Sequence, residues 1–236
     1  MKSKFALVAS VVVLVLRGVP SLAQEDKLRK VSFPTSCDAR VQAQFERGMA
    51  MVHSYSFTEA GKVFDAVARQ DPNCVMAYWG YAVSLLGDSL SGPPSPKNAQ
   101  MARYALEKAR ALGAKTQRES DWIEALSAYY RGHDKVSVED RLLAFTKAME
   151  QMTQRYPDDF EAWAFYALML QASAPKTDLS YANQLKAAAI LEKLFQQNPQ
   201  HPGVERYLLR AYDYPHWRVD SLALGCVLAS IPCRIW

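Results

Sequence analysis

The stretch 41-VQAQFERGMAMVHSYSFTEAGKVFDAVARQDPNC-74 decides the fold. Its small residue Gly48 stands 12 positions before Ala60, Ala60 stands 4 before Phe64, and Phe64 stands 8 before Pro72. A small residue in each of two helices lets their backbones approach. A large residue four positions on fills the space beside them, and proline stops the second helix. The same order recurs downstream. A new unit opens at Val75 with Tyr78, Tyr81, Ala82 and Leu85. A third carries Trp122, Ala125, Leu126 and Tyr129. The fourth has Trp163, Tyr166, Ala167 and Leu170, then Ala187, Leu191, Leu194 and Pro199. A fifth opens with Glu205, Leu208, Leu209 and Tyr212.

From Val41 to Tyr214 the chain therefore resembles the tetratricopeptide repeat family, whose period is about 34 residues. The resemblance implies an all-α solenoid of antiparallel helix pairs, with each pair burying its second face on the next. An ordinary helical bundle shares the 3.6-residue periodicity. Pro72, Pro157 and Pro199, each shortly before a new helix, favour the repeat. Longer segments within the later units, Asp88 to Pro96, His133 to Val138 and Ala174 to Leu179, would decorate one rim.

The N-terminus carries an export signal. Lys2 and Lys4 precede the apolar run Phe5 to Leu16; Pro20 then breaks it, and Ser21-Leu22-Ala23 supplies small residues for cleavage between Ala23 and Gln24. Arg17 ends the run short of the roughly 20 residues that a span needs. The expected organisation is a signal peptide over 1–23, an N-terminal arm over 24–40, repeats over 41–215 and an atypical tail over 216–236. Export implies a periplasmic or secreted protein. The chain has 28 basic and 24 acidic residues. Losing Lys2, Lys4 and Arg17 leaves it nearly neutral, which gives no electrostatic case for nucleic acid or an anionic membrane.

No catalytic constellation emerges. His53, His133, His201 and His216 form no pair at helical spacing, and there is no glycine-rich phosphate loop or GxSxG. Asp158-Asp159 follows Pro157 at a helix start, which reads as capping. No metal and no cofactor are expected. Cys37 and Cys74 fall at neighbouring ends of the first helix pair and are the disulfide candidate, with two free thiols as the alternative; four cysteines allow three connectivities.

Binding is then the expected activity, through the concave groove lined by the first helix of each pair. By register its residues are Phe45, Met49 and His53, then Met76 and Trp79, then Ile123 and Arg131, then Gln171, and finally Arg206 and Arg210. This aromatic and apolar floor suits an extended peptide or protein segment, with Trp79 as the anchor. The alternative is that these residues pack against the N-terminal arm, Gln24 to Ser36. The run His201-Pro202-Gly203-Val204-Glu205-Arg206-Tyr207-Leu208-Leu209-Arg210-Ala211-Tyr212 is similar to a segment of exported bacterial tetratricopeptide proteins of unassigned function. In that group histidine stands where Arg206 and Arg210 stand here. The resemblance implies a shortened member, whose likeness stops at Pro215 and whose apolar tail is no native cap. The alternative function is that of a group with a metal-dependent or other enzymatic site beyond this chain's end.

Overall fold

A computed structural model describes residues 30–88 and 91–213. The leader with its Ala23/Gln24 cleavage, and the tail 216–236, lie outside the described residues. Among the described residues the secondary structure is helical, with no strand. The helices are α1 Ala39–His53, α2 Phe57–Gln70, α3 Val75–Leu86, α4 Pro96–Leu112, α5 Gln117–Tyr130, α6 Val138–Arg155, α7 Phe160–Ala172, α8 Ala182–Gln197 and α9 Val204–Tyr212.

Each helix packs on the next along the series. The odd helices also touch one another, α1 on α3, α3 on α5 and α7 on α9, whereas no even helix packs on another even helix among the described residues. The odd helices therefore form an inner layer and the even ones an outer layer.

Local chemistry sets the helix starts. Ser95 and Ser137 accept from the main-chain N–H of Asn98 and Asp140. Thr116 does the same for Glu119 and Asp159 for Ala162. Such side-chain caps satisfy donors that a helix start leaves open. Asp159 thus has the capping role that its place after Pro157 suggests.

The join between the first two pairs is built on one ring and two glycines. Phe64 of α2 lies against Gly48 of α1 and Gly80 of α3, where an added Cβ would come within 2.7 Å and 2.5 Å of the ring. Only a residue without a side chain fits at either position, so the small-and-large pattern of the sequence serves both the pair and its neighbour.

Cys37 and Cys74 are joined in a disulfide, with Cα atoms 4.8 Å apart. The bond ties Cys37, which stands just ahead of the α1 cap Asp38, to Cys74, which caps α3.

Candidate functional site

The inner layer presents an aromatic row, one ring from each of α1, α3, α5 and α7. Phe45 comes from α1, Trp79 from α3, Trp122 from α5 and Phe165 from α7. Trp79 and Trp122 meet edge to face at 5.2 Å, Trp122 and Phe165 at 5.4 Å. Phe33, from the segment before α1, enters this row and lies 5.5 Å from Phe45, 5.4 Å from Trp79 and 5.2 Å from Trp122. Arg118 covers its other side, with the guanidinium carbon 4.6 Å from the ring centre. Phe33, Trp79 and Trp122 are all fully buried.

The main chain of that segment is held by side chains. Gln42 of α1 donates to the Phe33 carbonyl at 2.8 Å and accepts from Thr35 N–H at 3.2 Å. Glu46 accepts from Phe33 N–H at 3.1 Å. Arg118 of α5 donates to the Pro34 carbonyl at 3.1 Å, and its neighbour Glu119 accepts from Ser36 N–H at 2.7 Å and from Ser36 Oγ at 2.6 Å. Lys115 donates to the Ser36 carbonyl at 3.1 Å.

This geometry corrects the expected open groove. Phe45, Met49, His53, Met76, Trp79 and Ile123 are 0–2 % exposed and form the core, and Gln171 is buried as well. The physical reason is that the arm already fills the inner face, and that α1 comes round to meet α7 and α9. Trp79 is bonded inward, donating from Nε1 to the Trp122 carbonyl at 3.0 Å. Of the expected groove residues, Arg131 and Arg206 are exposed. Arg210 makes two 2.8 Å bonds to Asp88 and lies over the Tyr55 ring.

A second convergence was not visible in the sequence. His53 of α1 and His201, in the turn before α9, both bond Glu161 of α7, from Nε2 to Oε2 at 2.8 Å and from Nε2 to Oε1 at 3.0 Å. Tyr207 Oη lies 2.8 Å from His53 Nδ1. All four side chains are buried. The His201 Nδ1 accepts from Gly203 N–H and Val204 N–H, so its proton is on Nε2 and is donated to Glu161. Burial holds His53 below its ordinary pKa in spite of Glu161, so it is neutral; its Nε2–H then donates to Glu161, and Tyr207 donates to its Nδ1. Burial also opposes ionisation of Glu161, but its contacts with His53 and His201 outweigh that and hold its carboxyl at about 2.

Two sets of ligand-type side chains come together among the described residues, His53–Glu161–His201 and Cys37–Asp71–Cys74. Neither fits a metal. A metal on both Nε2 atoms would need the His201 proton moved to Nδ1, where it would face two backbone N–H donors. The cysteines have no thiolate to offer, being joined to each other, and Asp71 Oδ2 accepts from Asp38 N–H at 2.9 Å. The His–Glu–His arrangement is a closed hydrogen-bond network that ties α1, α7 and α9 together. The 108 positions between His53 and Glu161 explain why no spacing rule could find it. The run His201-Pro202-Gly203 before a helix was the one local signal, and it marks a helix start.

Comparison with family models, with curated proteins and with solved structures finds no match to this chain.

Proposed function

We propose that this chain is an exported binding scaffold of the tetratricopeptide type, whose inner helical layer holds an extended protein or peptide segment. One observation carries the reading. Side chains of α1 and α5 bond the main chain of the segment Phe33–Ser36, and an aromatic pocket takes its phenylalanine. Hydrogen bonds along an extended main chain give a peptide-binding surface its affinity, and a pocket for an anchor side chain gives it selectivity; here side chains of α1 and α5 supply those bonds. The repeat spacing in the sequence and the serial packing of helix pairs support the tetratricopeptide assignment. The apolar run after Lys2 and Lys4 supports export to the periplasm or outside the cell, and the Cys37–Cys74 disulfide suits an oxidising compartment. Binding is favoured over catalysis because the buried titratable cluster has all its ring nitrogens and both Glu161 oxygens engaged with one another, with Tyr207 or with backbone.

The test is site-specific photo-crosslinking in the envelope of cells that make the full chain. A crosslinker at Lys115, beside the arm, should give a discrete protein adduct, and one at the exposed Tyr104 of the outer helix α4 should not. No adduct from Lys115, or the same pattern from both positions, contradicts the reading.

A further inference from the structure

The arm is bound in a way that a core segment does not need to be. Every main-chain donor and acceptor from Phe33 to Ser36, the Thr35 carbonyl apart, is met by a side chain of α1, of α5 or of Lys115 just before α5. Gln42 spans two residues of the arm with one amide, donating to one carbonyl and accepting from the next residue but one. Contacts of that kind read an extended backbone whatever its side chains are. Selectivity comes from three further contacts. Val31 and Phe33, two residues apart and so on one face of an extended chain, are both buried. Pro34, which has no N–H to satisfy, stands between two residues whose N–H groups are both bonded. The hydroxyls of Thr35 and Ser36 bond Gln42 and Glu119.

We propose that Val31–Ser36 is a peptide ligand bound in cis, and that the inner face accepts from a partner an extended segment of the same chemistry: aliphatic, any residue, phenylalanine, proline, then two hydroxyl residues. This deepens the binding reading above and rests on it. The arm is attached next to the disulfide at Cys37, which keeps α1 fixed to α3 whether or not the arm is seated. The arm can therefore leave without carrying the first helix pair with it. While attached it competes at the high local concentration of a short tether, in the millimolar range. The seated arm is thus the closed state of the site, and a partner gains access by outcompeting it.

The experiment uses the full chain and a fluorescently labelled peptide, Lys-Val-Ser-Phe-Pro-Thr-Ser, copied from residues 30–36. The wild-type chain should show no saturable binding below millimolar peptide. A Phe33→Ala chain, whose own arm has lost its anchor, should bind the peptide at least tenfold more tightly than wild type, with a change in tryptophan emission from Trp79 and Trp122. A peptide with alanine in place of its phenylalanine should not bind. A folded Phe33→Ala chain that takes up no peptide at millimolar concentration, or takes up both peptides equally, overturns the proposal. Should Phe33→Ala lose its fold, the peptide is added during refolding. Recovery of helicity with the wild-type peptide alone supports the proposal, and no recovery overturns it. A crosslinked partner at Lys115 together with no peptide uptake removes this inference and leaves the binding reading. Uptake without any such partner overturns the binding reading and this inference with it.

Discussion

Trp79 illustrates what residue spacing can and cannot say. Its position one residue after Tyr78 places it on the inner face of α3, and that placement is right. Its exposure could not be read, because what covers it is Phe33, which stands before the first helix pair and belongs to no pattern. Trp79 is therefore core. We expect Trp79→Ala to destabilise the fold by about 3–5 kcal/mol, in the range for deleting a large buried aromatic. Chemical unfolding of the two chains measures this; a loss below about 1 kcal/mol would mean that the ring is not packed as described. Glu161 gives a second residue-scale expectation. Replacing it with glutamine keeps its size but sets an amide N–H against one of two imidazole donors. A buried donor left unmet costs about 1–3 kcal/mol, more beside a charge, so Glu161→Gln should lose about 3 kcal/mol. An unchanged unfolding midpoint would show that the network can rearrange around a neutral side chain.

At the level of helices the sequence was far more legible. Gly48, Ala60, Phe64 and Pro72 mark α1, α2 and the turn after them, and the start of α3 falls at Val75 as the register requires. These features are local: a cap, a breaker and a 3.6-residue face each act within a few positions. Packing of the arm on the inner face stood in the sequence only as the alternative to an open groove, and its contacts could not be placed, because its partners are side chains from α1 and α5, with 83 positions between Ser36 and Glu119. The meeting of Phe64 with Gly80 shows how tight the joins between pairs are. Gly80→Ala should cost about 1–3 kcal/mol by overpacking, although alanine is the better helix former. A stabilised Gly80→Ala chain would mean that the Phe64 ring can move aside. The disulfide joins elements whose half-cystines are 37 positions apart. Chain entropy assigns such a crosslink about 4 kcal/mol. Cys74→Ser should lower stability by about 2–4 kcal/mol, and the same loss should follow reduction of the wild-type chain. An equal unfolding midpoint with and without reductant would contradict this.

For the molecule as a whole, the decisive contact is where the series of helices comes back on itself, and acid should open it there. The cluster that closes it contains His53 from α1, Glu161 from α7, His201 from the turn before α9 and Tyr207 from α9. Tyr55, Asp88 and Arg210 are the further charged or titratable groups that act on it, through Tyr207. Burial lowers the His53 pKa in the fold from 6.5, so the unfolded chain binds a proton that the folded chain does not. Stability from this group is therefore complete above about pH 6.5 and is lost as pH falls below it. Glu161 acts in the same direction over a lower window. Its carboxyl is at about 2 in the fold against 4.5 ordinarily, so its contribution is present above 4.5 and is lost between there and about 2. Both contributions fall as pH falls, so the molecule should weaken from pH 6.5 downward, with a slope approaching about 1.4 kcal/mol per pH unit where one proton is taken up. Hydrogen exchange should find the amides of α9 opening before those of α1 and α2 as acid breaks the cluster, because α9 is then left to its packing on α7 and α8, whereas the first helix pair keeps its disulfide. A His53→Gln chain, less stable at neutral pH, should lose the dependence that sets in below pH 6.5 and show a weakened Glu161 window, because His53 is the largest of the contacts that hold that carboxyl down. Equal unfolding midpoints at pH 7 and pH 5 for the wild-type chain, or a His53→Gln chain with the wild-type slope, would show that the closure is not held by this network.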